Sequence, residues 1–442
     1  MGDAARPTVY LYAEPALNHK WLEGCTAFEQ LLDSSAHSDL AEVGMRRALG
    51  LSPLRVSDPA QASLFYVAVY EYASTRVGSA CRDADCANSS HESRMAQAAT
   101  ALSASPWWQR HKGADHMYAS SAYSYKSRDY QSLDRRLGAL GKLLRTGSAG
   151  RYKPGKTAST VGRCVVGIPW ASSRIAAAAA EPEFADVTQR RRRLLLHFAG
   201  SLQVGGIHAG IRCAVGPLAA AVHGEKDVLV RITRPHNKSS WNRCTRRAVE
   251  LVETARRNAD GNTSNVVLRR AALGLREPGT PAVAGGGNNG RKPSVQLIRQ
   301  TLREMASAVF CLMPAGDNGA RSIMYSALAV GCIPVVLCDR LQSVDLPFAR
   351  PPSRVPWERL WVKPSSAGFM RDPASVVRQL RGISASEVRE KQLLIQRHLP
   401  DVLYESRESR AGTNFALQVA ATACVRGLPD VRPMIPSHQT GT

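Results

Sequence analysis

Three groups of residues in this 442-residue chain carry side chains or backbone that could do chemistry. Asp115 and His116 follow a Trp-Trp pair and an Arg110-His111-Lys112 cluster. A histidine beside a carboxylate is a candidate general base, and the same pair equally suits a turn cap next to a hydrogen-bonded core histidine. The second group is the loop from Pro314 to Ser322, which contains Gly316 and Arg321 and runs into a Ser/Ala/Leu-rich stretch holding Ser326. Free N–H groups and the dipole at a helix start favour phosphate, so a phosphate-bearing ligand is expected here, the other reading being an ordinary buried βαβ unit with no ligand. The third begins at Gly200 and Ser201, continues as a Gly-rich stretch to Gly210 and leads to Arg212. It lacks the GxGxxG register and a Gly-Lys-Ser/Thr ending, so it is neither a dinucleotide fingerprint nor a Walker loop. It still lets backbone approach a ligand closely. The basic run Arg190 to Arg193 could grip an anion or serve as a solvated lead-in to a strand.

Something must position these groups. Apolar runs at Thr8 to Tyr12, Ser63 to Tyr70, Arg163 to Pro169, Leu194 to Ala199, Asp227 to Thr233, Val309 to Met313 and Ile333 to Cys338 have the length and β-rich composition of strands buried on both faces. A short strand is expected at Leu360 to Lys363. Helical spacing marks Leu40 to Leu51, Glu92 to Ala104, Leu133 to Leu144, Ile211 to Val222, Arg246 to Arg257, Ser294 to Ala308, Pro373 to Leu380, Ser386 to Leu399 and Ser409 to Arg426. Strands alternating with helices predict an α/β fold with parallel sheets. A boundary is expected near the alanine run at Ala171 to Asp186, giving domains at 1–185 and 186–385, with helices at 386–426 packing back on them. The stretch 259–292, with GGGNNGRK, reads as a flexible insertion without structure, and 427–442 as a disordered tail.

A formal charge of +22 makes an attractive field for anions, from nucleic acid to anionic glycans or phosphorylated small molecules. Only 6% of residues are aromatic, which disfavours a base-stacking surface, and no helix-turn-helix, zinc-finger or RNP signature is present. The ten cysteines show no zinc-ligand spacing. Cys81 and Cys86 could form a local disulfide or remain thiols. Sequons begin at Asn88, Asn237 and Asn262. No run is long enough to span a membrane, and the N-terminus does not open a signal peptide.

Together these landmarks resemble the exostosin family of glycosyltransferases. Val9 to Asn18 (VYLYAEPALN) is similar to the family's VYVYDLPPxxN, Asp58 to Tyr70 to its DPxxAxxFFVPFY, and Pro106 to Tyr118 to its PYWxRxxGxDHFF. Leu195 to Gly200 matches its LLFFAG strand, and Phe310 to Phe348 its FCLxPxG...GCxPVxxxDxxxLPF. The resemblance implies a GT-B architecture: two Rossmann-like domains facing a cleft, the N-terminal one for the acceptor and the C-terminal one for a nucleotide sugar. It implies inverting transfer, generally in the Golgi lumen, from a nucleoside diphosphate donor (a UDP-sugar is expected) to a glycan or glycoprotein. No metal cofactor and no nucleic-acid partner are expected, and assembly into homo- or hetero-oligomers stays open. Asp115 and His116 then fall on the acceptor side, while Gly200, Ser201, Arg212, Gly316, Arg321, Ser322 and Ser326 face the donor. The chain departs from the pattern in places. Counted from Pro314, the family's helix-start Arg falls on Ile323 and its later carboxylate on Ser326. Arg321 comes two residues early, about 200° around a regular helix, and the His-Asp after the family's GxDHFF falls on Ala122 and Tyr123. These departures keep a second reading open, a degenerate relative that binds glycan or acts as a scaffold.

Overall fold

The computed structural model describes residues 6–29, 40–77, 90–120, 133–137, 144–146, 166–171, 182–185, 187–188, 190–202, 209–234, 243–258, 266–270, 295–316, 321–404, 408–422, 425 and 428. The chain forms two compact units, one from residues 1–177, 343–356 and 398–442, the other from 178–342 and 357–397.

The first unit is built on a parallel five-stranded sheet of β1 (Val9–Leu11), β2 (Arg55–Val56), β3 (Leu64–Tyr66), β4 (His116–Ala119) and β5 (Leu144–Thr146), in the order β2-β1-β3-β4-β5. Tyr12, Phe65, Trp108, Tyr118 and Leu133 belong to one apolar cluster, which also takes Met95, Ala98 and Leu102 from helix His91–Ala104. Ser90 caps that helix through the Ser93 amide at 3.1 Å. Helix Ala411–Ala420 returns against Ala41–Gly50, where a Cβ on Gly412 would lie 2.5 Å from the Ala48 carbonyl carbon.

The second unit repeats the design with β6 (Leu194–Ser201), β7 (Val228–Arg234), β8 (Val266–Arg270), β9 (Ala308–Pro314) and β10 (Ile333–Leu337), all parallel, in the order β10-β9-β6-β7-β8. From β6 the chain winds one way through β7 and β8, then crosses back to β9 and β10. The strand order therefore reverses between β6 and β9. Outside the carboxyl ends of such a pair, the crossovers leave to opposite sides and open a crevice where ligands bind in parallel α/β sheets. The α/β class with parallel sheets is thus observed, in two Rossmann-like units.

Several local expectations change. Leu133–Arg136 is helical, but Leu144 opens β5, so no helix runs from 133 to 144. Val266–Arg270, inside the stretch expected to lack structure, pairs with β7 in register Val230↔Val266, because its β-branched residues complete an edge strand. The helix expected at Ile211 to Val222 is two, Ala209–Cys213 and Val215–Ala221. Pro217 has no N–H to return to the Cys213 carbonyl, which breaks the ladder there. In place of a strand at Leu360 to Lys363 there is helix Trp357–Leu360 and one bridge, Val335↔Val362. The expected helix at Pro373 to Leu380 is instead Ser375–Arg381, preceded by helix Ser366–Arg371. Val166 to Pro169 joins neither sheet. Cys81, Cys86, Asn88, Ala122, Tyr123, Asn237, Asn262 and residues 429–442 lie outside the described residues.

Arg192, in the basic run, is neither an anion grip nor a solvated lead-in. Its guanidinium donates to four carbonyls, Val187 (3.0 Å), Ala306 (2.9 Å), Ala308 (2.8 Å) and Val330 (3.0 Å). Burial, followed by the charge of Arg190, lowers its pKa to about 10. Gly331 next to it has φ +69°, and a Cβ there would lie 2.0 Å from Val187 Cγ1, so only glycine fits.

Candidate functional site

Asp115 and His116 come together as the sequence suggested, but inside the core of the first unit. His116 is the first residue of β4, which lies between β3 and β5, so the pair sits at the amino end of a central strand. Both side chains are fully buried. His116 Nδ1 is 2.7 Å from Asp115 Oδ1, and Nε2 is 2.8 Å from the Tyr12 hydroxyl. Burial lowers the His116 pKa against the opposing pull of Asp115, so the ring is neutral. Burial alone would raise Asp115, yet His116 and Arg110 (Nη2 to Oδ2, 2.9 Å) hold it below the ordinary value. The carboxylate can only accept, so Nδ1 carries the proton and Nε2 accepts from Tyr12, whose pKa burial raises. The Phe65 ring stacks on the imidazole at 4.9 Å, and Trp108 meets it edge-on at 5.0 Å. With both nitrogens engaged and the ring enclosed, this geometry leaves no ring atom for an acceptor hydroxyl. The expectation of a base at His116 or Asp115 gives way to the other reading, a hydrogen-bonded core histidine.

In the second unit, Gly200, Ser201, Arg212, Gly316 and Arg321 come together at the reversal point. Arg212 follows β6 and is 2% exposed. Its Nε donates to the Ala315 carbonyl at 3.1 Å, just past β9, and its Nη1 to the Ser201 carbonyl at the end of β6. The guanidinium thus bridges the carboxyl ends of the two strands between which the order reverses. A Cβ on Gly316 would lie 3.3 Å from Arg212 Nη2 and 3.4 Å from Arg321 Nε, and one on Gly200 would lie 3.9 Å from Arg212 Nη1. Two guanidinium groups therefore flank one glycine. Arg321 reaches this position because it is not in the helix: it is the N-cap, with extended backbone (φ −135°, ψ 148°), and the helix begins at Ser322. The 200° offset of a regular helix does not apply to it.

Ser326 stands apart from this group. It lies in the second turn of helix Ser322–Ala329, is 1% exposed, and its Oγ finds no hydrogen-bond partner. Ser322 and Ile323 are half-buried. Beside the reversal point, Asp339 follows β10 and its Oδ1 accepts from the Ser366 amide at 2.9 Å, tying helix Ser366–Arg371 to the carboxyl edge. The disulfides Cys213–Cys244 and Cys311–Cys332 were not read from the sequence, and the first lies directly beside Arg212. Among the described residues no group of three or more His, Cys, Asp or Glu side chains is placed to hold a metal, and no helix is long and apolar enough to cross a membrane.

Paired arginines at the reversal point of a parallel α/β sheet define a unit suited to a phosphorylated or nucleotide ligand. The chain belongs to the exostosin GT47 domain family, whose model matches residues 3–351. A comparison with curated proteins finds no match. Among solved structures, the chain is similar to the N-terminal domain of Candida albicans trehalose-6-phosphate phosphatase, at 10% identity and a TM-score of 0.34, over 58% of this chain and 49% of that one. It is also similar to a UDP-forming trehalose-phosphate synthase from Burkholderia xenovorans, at 10% identity and a TM-score of 0.38, over 76% and 82% of the two chains. A third is a mutant O-GlcNAc transferase from Thermobaculum terrenum, at 10% identity and a TM-score of 0.41, over 94% and 68%.

Proposed function

We propose that the protein is a glycosyltransferase moving a sugar, with inversion, from a nucleoside diphosphate sugar to a hydroxyl of a glycan or glycoprotein. The observation that carries this reading is the convergence of Arg212 and Arg321 on Gly316 at the β6/β9 reversal, in a chain of the exostosin GT47 family. A diphosphate has the charge and the span to take charge-assisted hydrogen bonds from two such guanidinium groups. In glycosyl transfer the leaving diphosphate gains negative charge as the bond to the sugar breaks. Guanidinium groups and backbone N–H groups fixed in advance stabilise that charge without a metal. In this reading Arg212, Arg321, Gly200, Ser201, Gly316 and Ser322 hold the diphosphate, UDP being the first nucleotide to test. Asp115 and His116 build the acceptor-side unit rather than take the acceptor's proton. The disulfides accord with an oxidising compartment, as expected for the secretory pathway.

Ser326, buried where the family's pattern has a carboxylate, favours the second reading of a degenerate relative without turnover. Incubating the purified chain with a panel of UDP- and GDP-sugars and glycan acceptors separates the two. The enzyme reading requires release of the nucleoside diphosphate from at least one donor. Donor binding without release from any member of the panel would support the degenerate one.

A further inference from the structure

We infer that the Cys213–Cys244 disulfide is a positioning element for Arg212. This inference rests on the nucleotide-binding reading above.

Arg212 lies in helix Ala209–Cys213, which has only five residues. A regular continuation would pass hydrogen bonds from this turn into the next, but Pro217 has no N–H to give the Cys213 carbonyl, and the chain restarts as helix Val215–Ala221. Along its own axis the turn carrying Arg212 keeps the bond from the Ala214 amide to the Gly210 carbonyl at 3.2 Å and loses the one from position 217. Its covalent brace is lateral: Cys213 is bonded to Cys244, in the first turn of helix Arg243–Asn258, with the two Cα atoms 5.0 Å apart. Past Ala214, in the next helix, a Cβ on Gly216 would lie 2.4 Å from the Ala248 Cβ, so helices Val215–Ala221 and Arg243–Asn258 touch there. Disulfide and contact together hold the segment against the helix that connects β7 to β8. The guanidinium then spans from the end of β6 to the residue after β9, a geometry that tolerates little displacement of the Arg212 backbone. The disulfide Cys311–Cys332, by contrast, is fully buried and ties β9 to the residue before β10. Cys213 and Cys244 are only half-buried, so a soluble dithiol can reach them in the folded chain.

The test is a double-mutant cycle read by calorimetric UDP binding, with C213A/C244A, R212Q and the combined variant. Losing the tether is expected to weaken UDP binding about tenfold in the native background and less than twofold in the R212Q background, because the displaced group is then already absent. A purely structural disulfide would lower the unfolding midpoint and leave the affinity of the folded protein unchanged. In a second arm, native protein is treated with dithiothreitol, whose two thiols give two electrons and two protons to the disulfide and close to their own. Newly freed Cys213 and Cys244 are mapped by alkylation and mass spectrometry. UDP affinity should fall as those two thiols appear and return on reoxidation. If UDP binds, R212Q weakens it, and neither C213A/C244A nor reduction does, the tether is not a positioning element. Equal losses in both backgrounds would overturn it as well. If the wild-type chain binds no UDP, the underlying nucleotide reading fails, and the inference with it.

Discussion

Replacing His116 decides between a core histidine and a catalytic one. His116→Ala removes the donor to Asp115 Oδ1 and the acceptor for the Tyr12 hydroxyl in a site closed to water. Each stranded polar group costs about 1–3 kcal/mol. Here the cost falls in the lower half of that range, since Asp115 keeps Arg110 and Tyr12 keeps Ser105 at 3.2 Å. The lost ring contacts with Phe65 and Trp108 add about 0.5–1.5 kcal/mol each, and the total is roughly 3–7 kcal/mol. His116→Gln, whose amide can restore one of the two hydrogen bonds, should lose about half of that. Urea unfolding followed by tryptophan fluorescence reads both variants, because Trp107 and Trp108 lie in the same cluster. On any donor found in the panel, turnover per folded molecule of the Gln variant should stay within about threefold of wild type. A general base would instead contribute about 10²–10⁴ in rate. An unchanged unfolding midpoint together with a turnover loss of a hundredfold or more would refute the structural reading of His116.

Further outcomes follow from other buried groups. Arg192→Ala should destabilise the second unit by about 3–5 kcal/mol, since four carbonyls lose one shared donor, and Arg192→Lys should restore less than half; unfolding midpoints like wild type for both would contradict this. Burial lowers His19 and His197 to about 3 each, and lowers His116 as well. The unfolded chain takes up these protons near pH 6.5 while the folded chain does not, so stability present above pH 6.5 is lost as pH falls, at about 1.4 kcal/mol per unit per histidine, until the folded values are reached. Urea midpoints at pH 7.5 and 5.5 check the sign. His19→Asn should flatten the slope, and stability that is flat or rises on acidification would count against the buried, neutral assignments.

The sequence made the crossover around the Pro314 loop plain because β9 and β10 are buried on both faces, and a continuous apolar run bounded by Pro and Gly has few other interpretations. Charge and residue type likewise marked Arg212 and Arg321. What made Arg321 usable was not written in its spacing: an N-cap in extended conformation frees the side chain from the helical register, and that depends on the loop around it. Arg192 was hidden for a related reason. Its partners Ala306, Ala308 and Val330 are more than a hundred residues away, so the chain shows a basic run and not what the run touches. Cys213 and Cys244, 31 residues apart, carry no spacing signal. Val266–Arg270 was masked by the low-complexity residues that follow it. For Asp115 and His116 the adjacency was legible and the burial was not, since that comes from Phe65 and Trp108 closing over the ring.

The central claim is that Arg212 and Arg321 form the diphosphate site of the second unit. Titrating UDP into the wild-type chain and into Arg321→Ala by calorimetry tests it most directly, because Arg321 is a half-buried N-cap residue whose loss leaves the sheet intact. A lost charge-assisted contact should weaken binding by about 1.5–3 kcal/mol, roughly ten- to a hundredfold, with the unfolding midpoint unchanged. Equal UDP affinity in the two proteins, or none in either, would contradict the claim.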